Sequence, residues 1–307
     1  MQTEIKTCSV NEFIEIIDKL QWRHGNIVGG KSFVFRGTSN KNWTLLPKIF
    51  RKLPEPLHAV TMQGYIPAGD SIHYIEETEI LAHFKKEASA IVPNFFQQEE
   101  FVCMQYAQHY GIPTRLLDFT TNPLVALYFA CKDESLQDGC ISIVNDRNFR
   151  RWSYQEDFVK KSSEKHTIDS LISAILKEMF QRQMRQQSES SPANTKIRPV
   201  MIVLAYLDQR MLAQSSRFLL WGSDENSLEE MLEDENYMNP FSEERVDRSP
   251  DTRFFFQLIV DSISKHKLLQ QLDMLGINEK TLFPGLDGLG SYINTYYKRH
   301  PEDELRF

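Results

Sequence analysis

The sequence predicts a single-domain α+β protein, with a mixed, mainly antiparallel sheet core and helices packed around it. Three observations favour this class. Segments with helical periodicity are grouped early in the chain, β-rich segments are grouped later, and few β-α-β alternations occur between them. This arrangement is typical of α+β folds rather than doubly wound sheets. A hydrophobic content of 41% and a charged content of 25% are ordinary for a globular core.

The first elements are a helix and a short strand. Ser9 and Glu12 have the spacing of a capping box, and the apolar stripe that follows them predicts a helix from about 10 to 22. Glycines end this helix, and the β-rich run at 32–36 then predicts a strand. Segment 52–72 is rich in proline and glycine, so we expect a long loop there.

Three helices are expected in the middle of the chain, at about 74–90, 98–110 and 124–131. The second of them ends on Gly111, with Pro113 two residues later, which is a strong stop signal. Segment 114–119 is extended. Asn122 and Pro123 then supply the N-cap and the first-turn proline of the third helix.

The rest of the chain combines strands with two insertions in one domain of residues 1–307. Strands are expected at 140–144, 200–206, 217–220 and 254–260, and helices after Thr167, at 268–275 and around 289–293. We expect a helical and linker insertion at about 155–198 and an acidic insertion at about 224–247. The acidic segment has ten carboxylates and one Arg, so like-charge repulsion predicts an exposed, partly helical segment.

Charge, cysteines and the N-terminus indicate the setting of the protein. A net charge of -7 does not favour nucleic acid as a partner, because phosphate-driven binding needs a basic surface. Cys103, Cys131 and Cys140 lie in apolar stretches without C-x-x-C spacing, as in a reducing compartment. The chain has no signal-like N-terminus and no run of about 18 apolar residues. We therefore expect a cytoplasmic protein without a membrane partner.

Several motifs of common enzyme classes are absent from the sequence. It contains no G-x-G-x-x-G, H-E-x-x-H or G-x-S-x-G. The eight histidines show no paired ligand spacing. Zinc protease and serine hydrolase functions lose support, and we predict no metal site.

Polar residues in apolar surroundings single out segments 33–37 and 108–123. Strand alternation places Arg36 on the face opposite its two phenylalanine neighbours. A guanidinium there needs an anion. One interpretation is an ion pair between Arg36 and Asp118 that joins two strands. The other is a planar, bidentate clamp for a phosphate or carboxylate of a ligand, with Asp118 orienting the clamp.

The same segments resemble the FRG domain family, named for the tripeptide Phe35-Arg36-Gly37. Four stretches carry the resemblance further: Trp43 to Arg51, Glu79 to Lys85, Gln108 to Ala130, and Arg210 to Phe218, with a matching tail from Gly276 to Leu289. Domains of this family occur in bacterial and phage-associated proteins, often without an assigned activity. The resemblance implies a bacterial protein with a toxin or phage-defence role.

A more distant resemblance, to the ADP-ribosyltransferase superfamily, implies an ADP-ribosyltransferase-like fold and NAD as the ligand. It places Arg36 at the NAD-contacting arginine, with Gly37 beside it, and Thr120 or Thr121 at the hydroxyl position. Gln214 falls where the superfamily has a catalytic glutamate. A glutamine cannot act as a general base, although its amide can hydrogen-bond a ribose hydroxyl.

Two neighbouring residues complete the candidate site. The imidazole of His109 could act as an acid or base in catalysis, and Tyr110 offers a ring on which a base could stack. For His109 the alternative is a structural role at a helix C-terminus, where its side chain meets the last carbonyls. Two functions stay open: an NAD-dependent ADP-ribosyltransferase or NAD glycohydrolase with an unknown acceptor, and a non-catalytic ligand-sensing or protein-interaction domain.

Overall fold

The structure is a computed structural model, and it describes residues 5–24, 33–52, 60–61, 64–65, 76–133, 136–153, 175, 177, 198–204, 206–222, 224–233 and 254–297. The strands in this part of the chain are Ile5–Thr7 (β1), Phe33–Thr38 (β2), Val60–Thr61 (β3), Gly64–Tyr65 (β4), Leu116–Thr120 (β5), Gly139–Asn145 (β6), Val200–Ile202 (β7), Ser216–Leu220 (β8) and Phe255–Val260 (β9).

The helices of the same part are Val10–His24 (α1), Glu77–Ala88 (α2), Glu100–His109 (α3), Pro123–Cys131 (α4), Asp146–Ser153 (α5), Gln209–Ala213 (α6), Leu228–Glu233 (α7), Lys265–Met274 (α8), Glu279–Leu282 (α9) and Leu286–Tyr296 (α10). Several begin at the caps that the sequence predicts. The Asn122 side chain accepts a hydrogen bond from the Leu124 amide at the start of α4, and Ser9 accepts one from the Glu12 amide in α1.

Seven strands form one mixed sheet in the order β1-β9-β6-β2-β5-β8-β7. Only β1 and β9 pair in parallel, and the other neighbours are antiparallel. The α+β class and the mainly antiparallel sheet are therefore confirmed. The strands β3 and β4 form a separate two-stranded hairpin inside the segment that the sequence predicts as a loop.

Two groups of helices cover one face of the sheet. The helices α1, α4 and α8 pack on inward side chains of β2, β6 and β9. The helices α2, α3 and α6 pack on inward side chains of β5, β7 and β8. The opposite face is covered in part by α5 and α7, whose buried residues include Trp152 and Met231. The first face thus carries a seam between its two helix groups, over β2 and β5.

Two glycines allow α4 to lie directly on the sheet. A Cβ atom on Gly37 would stand 1.8 Å from the Ala126 carbonyl oxygen, and one on Gly139 would stand 2.2 Å from the Ala130 carbonyl oxygen. No real Cβ atom makes such contacts, so both positions need glycine. The close approach fixes α4 at the seam, where it forms one wall of the pocket described below.

Several predicted elements differ from the observed ones. The strand expected to reach Tyr206 ends at Ile202, because Asp208 caps α6 soon afterwards. In the described part of the acidic segment, residues 224–233, the expected helix is present as α7; Leu228 and Met231 are buried in the core, whereas Glu225, Glu230 and Glu233 are exposed. Segment 234–247 lies outside the described residues. So do the helix after Thr167, apart from positions 175 and 177, and the linker up to 197.

Candidate functional site

A pocket of about 260 Å³ opens at the seam between the two helix groups. Its floor comes from β2, β5 and β8, one wall from α4, and the other wall from α3 and α6. The lining residues are Phe35, Arg36, Gly37, Gln105, Gln108, His109, Asp118, Phe119, Thr120, Val125, Ala126, Phe129, Arg210, Met211, Gln214, Ser216 and Phe218. Concave sites with apolar walls and a few convergent polar groups are typical of small-molecule binding.

Arg36 reaches the pocket because β2 and β5 separate beside it. These strands pair only at Phe35 and Thr120, so the next pair of residues lacks ladder hydrogen bonds. Arg36 fills this gap: its Nη1 donates to the backbone carbonyl of Asp118 at 2.7 Å. Burial lowers the pKa of Arg36, the nearby Asp118 carboxylate raises it, and Arg51 lowers it again. A partly desolvated cation beside a second arginine favours an anion in the pocket.

The carboxylate of Asp118 is oriented by a chain of hydrogen bonds from α3. Gln108 donates from Nε2 to Asp118 Oδ2 at 2.7 Å, and Thr114 donates to Gln108 Oε1 at 2.7 Å. The Leu116 amide donates to the Thr114 hydroxyl. Asp118 and Arg36 form no side-chain ion pair in the described structure, so the expected strand-locking bridge is replaced by a bond to the Asp118 backbone. The carboxylate faces an open pocket.

Thr120 and Gln214 line the pocket, and both bind backbone groups. The Thr120 hydroxyl donates to the Gln214 carbonyl at 2.6 Å and accepts from the Asn122 amide. Gln214 ends α6, and its side chain donates to the Leu282 carbonyl at 3.0 Å. These bonds hold α6 and α9 against the end of β5. They also occupy the hydroxyl and the amide that the resemblance assigns to ligand contacts.

His109 and Arg210 lie at the outer wall of the pocket. His109 Nδ1 is 3.0 Å from Asp208 Oδ2, and the other oxygen of Asp208 caps α6 by accepting from the Met211 amide. His109 therefore joins α3 to α6. Arg210 lies over the ring of Phe283 at 4.7 Å from its centroid, and it is in no ion pair with a described residue. Its charge is open to an anionic ligand.

Gln105 is the most buried polar side chain of the pocket wall. It is 5% exposed, and its Nε2 atom is shielded from solvent without a hydrogen-bond partner among the described residues. Gln105, Gln108 and His109 are spaced i, i+3 and i+4, so they share the face of α3 that meets the pocket. Gln108 and His109 have protein partners there, and the amide nitrogen of Gln105 does not.

The structure brings together most of the residues that the sequence predicts for the site. Arg36, Gly37, His109, Asp118, Thr120 and Gln214 all line the pocket. Tyr110 does not: it follows the last residue of α3, is 69% exposed and meets only the edge of His109 in an aromatic contact. Thr121 also lies outside the lining, because it follows the end of β5 and binds Ser215 through its backbone amide.

Sequence reasoning misses several lining residues. Gln105 interrupts the apolar run Val102 to Ala107, and its helical spacing to His109 is a signal that could have identified it. Arg210 belongs to the stretch that carries the family resemblance, but nothing in its spacing links it to Arg36. That link depends on the pairing of β8 with β5, which joins distant parts of the chain.

No cluster of three or more His, Cys, Asp or Glu side chains in the described part of the chain could hold a metal ion. No helix within it is both long enough and apolar enough to cross a membrane.

The fold and the pocket define an α+β protein with a concave, partly cationic pocket on one face of a mainly antiparallel sheet. Comparison with known families adds that residues 31–139 match the model of the FRG domain. The span includes Arg36, α3, β5 and α4, whereas α6 and β8 lie beyond it. Neither curated proteins nor solved structures gave a significant match.

Proposed function

We propose that this protein binds NAD or a related nucleotide in the pocket, with Arg36 as the main contact for a ligand phosphate. One observation carries the proposal: Arg36 and Arg210 line the same pocket, and neither is in an ion pair with a described residue. Guanidinium groups match phosphate geometry and bind it with charge-assisted hydrogen bonds. Arg51 adds positive charge close to Arg36.

The other walls of the pocket suit the rest of such a ligand. Phe35, Phe129 and Phe218 present rings to the cavity, and flat heterocycles pack well on aromatic side chains. A volume of 260 Å³ is slightly below the range of about 300–1,000 Å³ for drug-sized ligands. One half of a dinucleotide fits inside, and the other half extends along the rim.

In this proposal Asp118 supplies the carboxylate that is missing at Gln214. Gln108 holds one carboxylate oxygen, which leaves the other free to face the sugar. As the bond between ribose and nicotinamide breaks, nicotinamide leaves with the electron pair and positive charge develops on the sugar. The carboxylate stabilises that charge and then takes the proton of the water or acceptor hydroxyl that adds to the anomeric carbon.

The resemblance also places the protein in a functional class. We propose an ADP-ribosyltransferase-like fold and a bacterial toxin or phage-defence role in the cytoplasm, because loss of NAD or modification of an essential target would stop a cell from growing. A second function, ligand sensing without turnover, is favoured by one observation. The Thr120 hydroxyl and the Gln214 amide are already bound to backbone carbonyls.

Incubation of the purified protein with labelled NAD tests the proposal, with binding, nicotinamide release and transfer measured together. Arg36→Ala should weaken NAD binding by about 10-fold to 100-fold and lower nicotinamide release and transfer with it, because it removes the phosphate contact. The matched control is Arg147→Ala, which removes the same charge from an exposed position of α5 outside the pocket. Equal signals from wild type and Arg36→Ala would refute the Arg36-centred site.

A second variant separates the enzyme from the sensor. Asp118→Asn keeps the shape of the side chain and removes its charge. If the protein is an enzyme, this variant should bind NAD as the wild type does and lose turnover by about 100-fold or more, as expected for loss of a general base. A wild type that binds NAD without releasing nicotinamide shows the sensing function instead.

A further inference from the structure

Gln105 stands apart from the other polar residues of the pocket because no described residue satisfies its amide nitrogen. The side chain lies in the wall built by α3 and α6, in a pocket that Met211 and Phe218, both buried, also line. A buried donor without an acceptor is unfavourable, since its hydrogen bond to water is lost on folding. Such groups are rare in native proteins, and at the wall of a pocket a bound ligand can supply the missing partner.

The surroundings of Gln105 indicate what kind of ligand group this is. Arg36 lies on β2 and Arg210 on α6, and the buried lining residues Met211 and Phe218 belong to the same apolar cluster as Met104 and Ala107 of α3. A charged group pressed into an apolar wall would be strongly desolvated, whereas a neutral carbonyl or ring nitrogen is not. A primary amide also presents donors and an acceptor in one plane, which suits the edge of a flat heterocycle.

We propose that Gln105 is a specificity-determining residue, whose Nε2 donates to an uncharged acceptor on the heterocyclic ring of the ligand while the arginines hold the phosphate. This inference rests on the proposed nucleotide site and deepens it: the pocket recognises an uncharged heterocyclic ring as well as an anionic group. Both bases of NAD carry an uncharged hydrogen-bond acceptor: nicotinamide has its carboxamide oxygen, and adenine has its ring nitrogens.

The test uses the full-length chain and three probes in calorimetric titrations. Nicotinamide and adenosine are neutral and carry one heterocyclic base each, whereas inorganic pyrophosphate is an anion without a base. The variant is Gln105→Met, which keeps an unbranched side chain of similar length and removes the amide. Gln97→Met is the matched control, because Gln97 is exposed in a one-turn helix before α3 and is absent from the pocket lining.

We expect Gln105→Met to weaken binding of the ring-bearing probe by roughly tenfold, the effect of one buried hydrogen bond, and to leave pyrophosphate binding unchanged. The probe that responds identifies which ring enters the pocket. Thermal unfolding gives an independent readout. Because the variant removes an unsatisfied buried donor, its Tm should equal or exceed that of the wild type. If the amide of Gln105 stabilised the fold instead, the Tm of the variant would fall.

Three results would overturn the inference. The first is an unchanged affinity of Gln105→Met for both rings. The second is a Tm several degrees lower than that of the wild type and of Gln97→Met, which would show that the amide is satisfied in the free protein. The third is wild-type binding of pyrophosphate without binding of nicotinamide or adenosine. In that case the inference about Gln105 fails, whereas the proposed phosphate site stands. If the wild type binds none of the probes, the proposed function fails together with the inference.

Discussion

Arg115 and Glu77 show how a charged residue inside the family segment serves structure. Arg115 Nε and Glu77 Oε2 are 2.6 Å apart, and the other carboxylate oxygen accepts from the Arg115 backbone amide. The guanidinium also donates to the Gly222 carbonyl. Both side chains are almost fully buried, at 6% and 4% exposure. The pair joins α2 to the start of β5 and leaves no charge for the pocket.

Removing one partner of this pair leaves the other charge buried alone. We expect Glu77→Ala to lower the free energy of unfolding by about 3–5 kcal/mol, as for other broken buried ion pairs. Urea unfolding measures this loss. Glu79→Ala is the matched control, since Glu79 lies on the same helix with an exposed side chain, and it should stay within about 0.5 kcal/mol of the wild type. Equal losses in the two variants would contradict the structural role of the pair.

At the scale of elements, the position of α4 decides the shape of the site. The helix is apolar nearly all round, packs on β2 through Gly37, and contributes Val125, Ala126 and Phe129 to the pocket. The glycine of the family tripeptide is therefore a packing residue as well as a neighbour of Arg36. A larger residue there would push α4 away from the sheet and open the seam.

Gly37→Ala should destabilise the protein by about 1–3 kcal/mol, the usual cost of overpacking, because the added methyl group would collide with the backbone of α4. Gly290→Ala is its control. Gly290 lies inside α10 with open space around it, so the substitution should stabilise the helix by up to about 1 kcal/mol. Urea unfolding measures both effects, and destabilisation of similar size in the two variants would refute the packing argument.

Much of the element content follows from sequence because its signals are local. The caps at Ser9 and Asn122 and the stop at Gly111 are read from a few neighbouring residues, and α1, α3 and α4 are found within about two residues of their predicted ends. The strand β1 was missed because three residues carry no usable periodicity. Its place depends on β9, more than two hundred residues away.

The candidate site was predictable to a similar extent. Arg36 and Asp118 attract attention because they are polar in apolar strands, and the structure places both in the pocket. Alternation places Arg36 opposite its phenylalanine neighbours, and the continuous ladder between β2 and β6 keeps that alternation. The sequence does not reveal that β2 pairs with β5 at one position only. Tyr110, which the sequence also proposes for the site, is 69% exposed and lies outside the pocket lining.

At the scale of the whole molecule, the cysteines report on the integrity of the core. Cys8 is exposed, whereas Cys103, Cys131 and Cys140 are buried. Burial raises the pKa of Cys103, and it raises the pKa of Cys131 and of Cys140 to about 12. Because the thiolate is the reactive form, burial and the raised pKa values both slow reaction of these three thiols.

We expect native protein at pH 8 to react at Cys8 alone within minutes of iodoacetamide addition, and at all four thiols in denaturant. Raising the pH toward 12 increases the thiolate fraction of the buried groups, so any opening of the core becomes visible as labelling of Cys131 and Cys140. Mass spectrometry of tryptic peptides measures each site. Rapid labelling of Cys131 or Cys140 in native protein at pH 8 would show that α4 is not held against the sheet.

The central claim is that the pocket at the seam holds a nucleotide through Arg36, and calorimetric titration of NAD into the full-length protein tests it most directly. We expect saturable binding by the wild type and by Arg147→Ala. For Arg36→Ala we expect a loss of about 10-fold to 100-fold in affinity, as for a charged hydrogen bond of about 1.5–3 kcal/mol. Equal affinity of Arg36→Ala and Arg147→Ala, or no binding by the wild type, would contradict the claim.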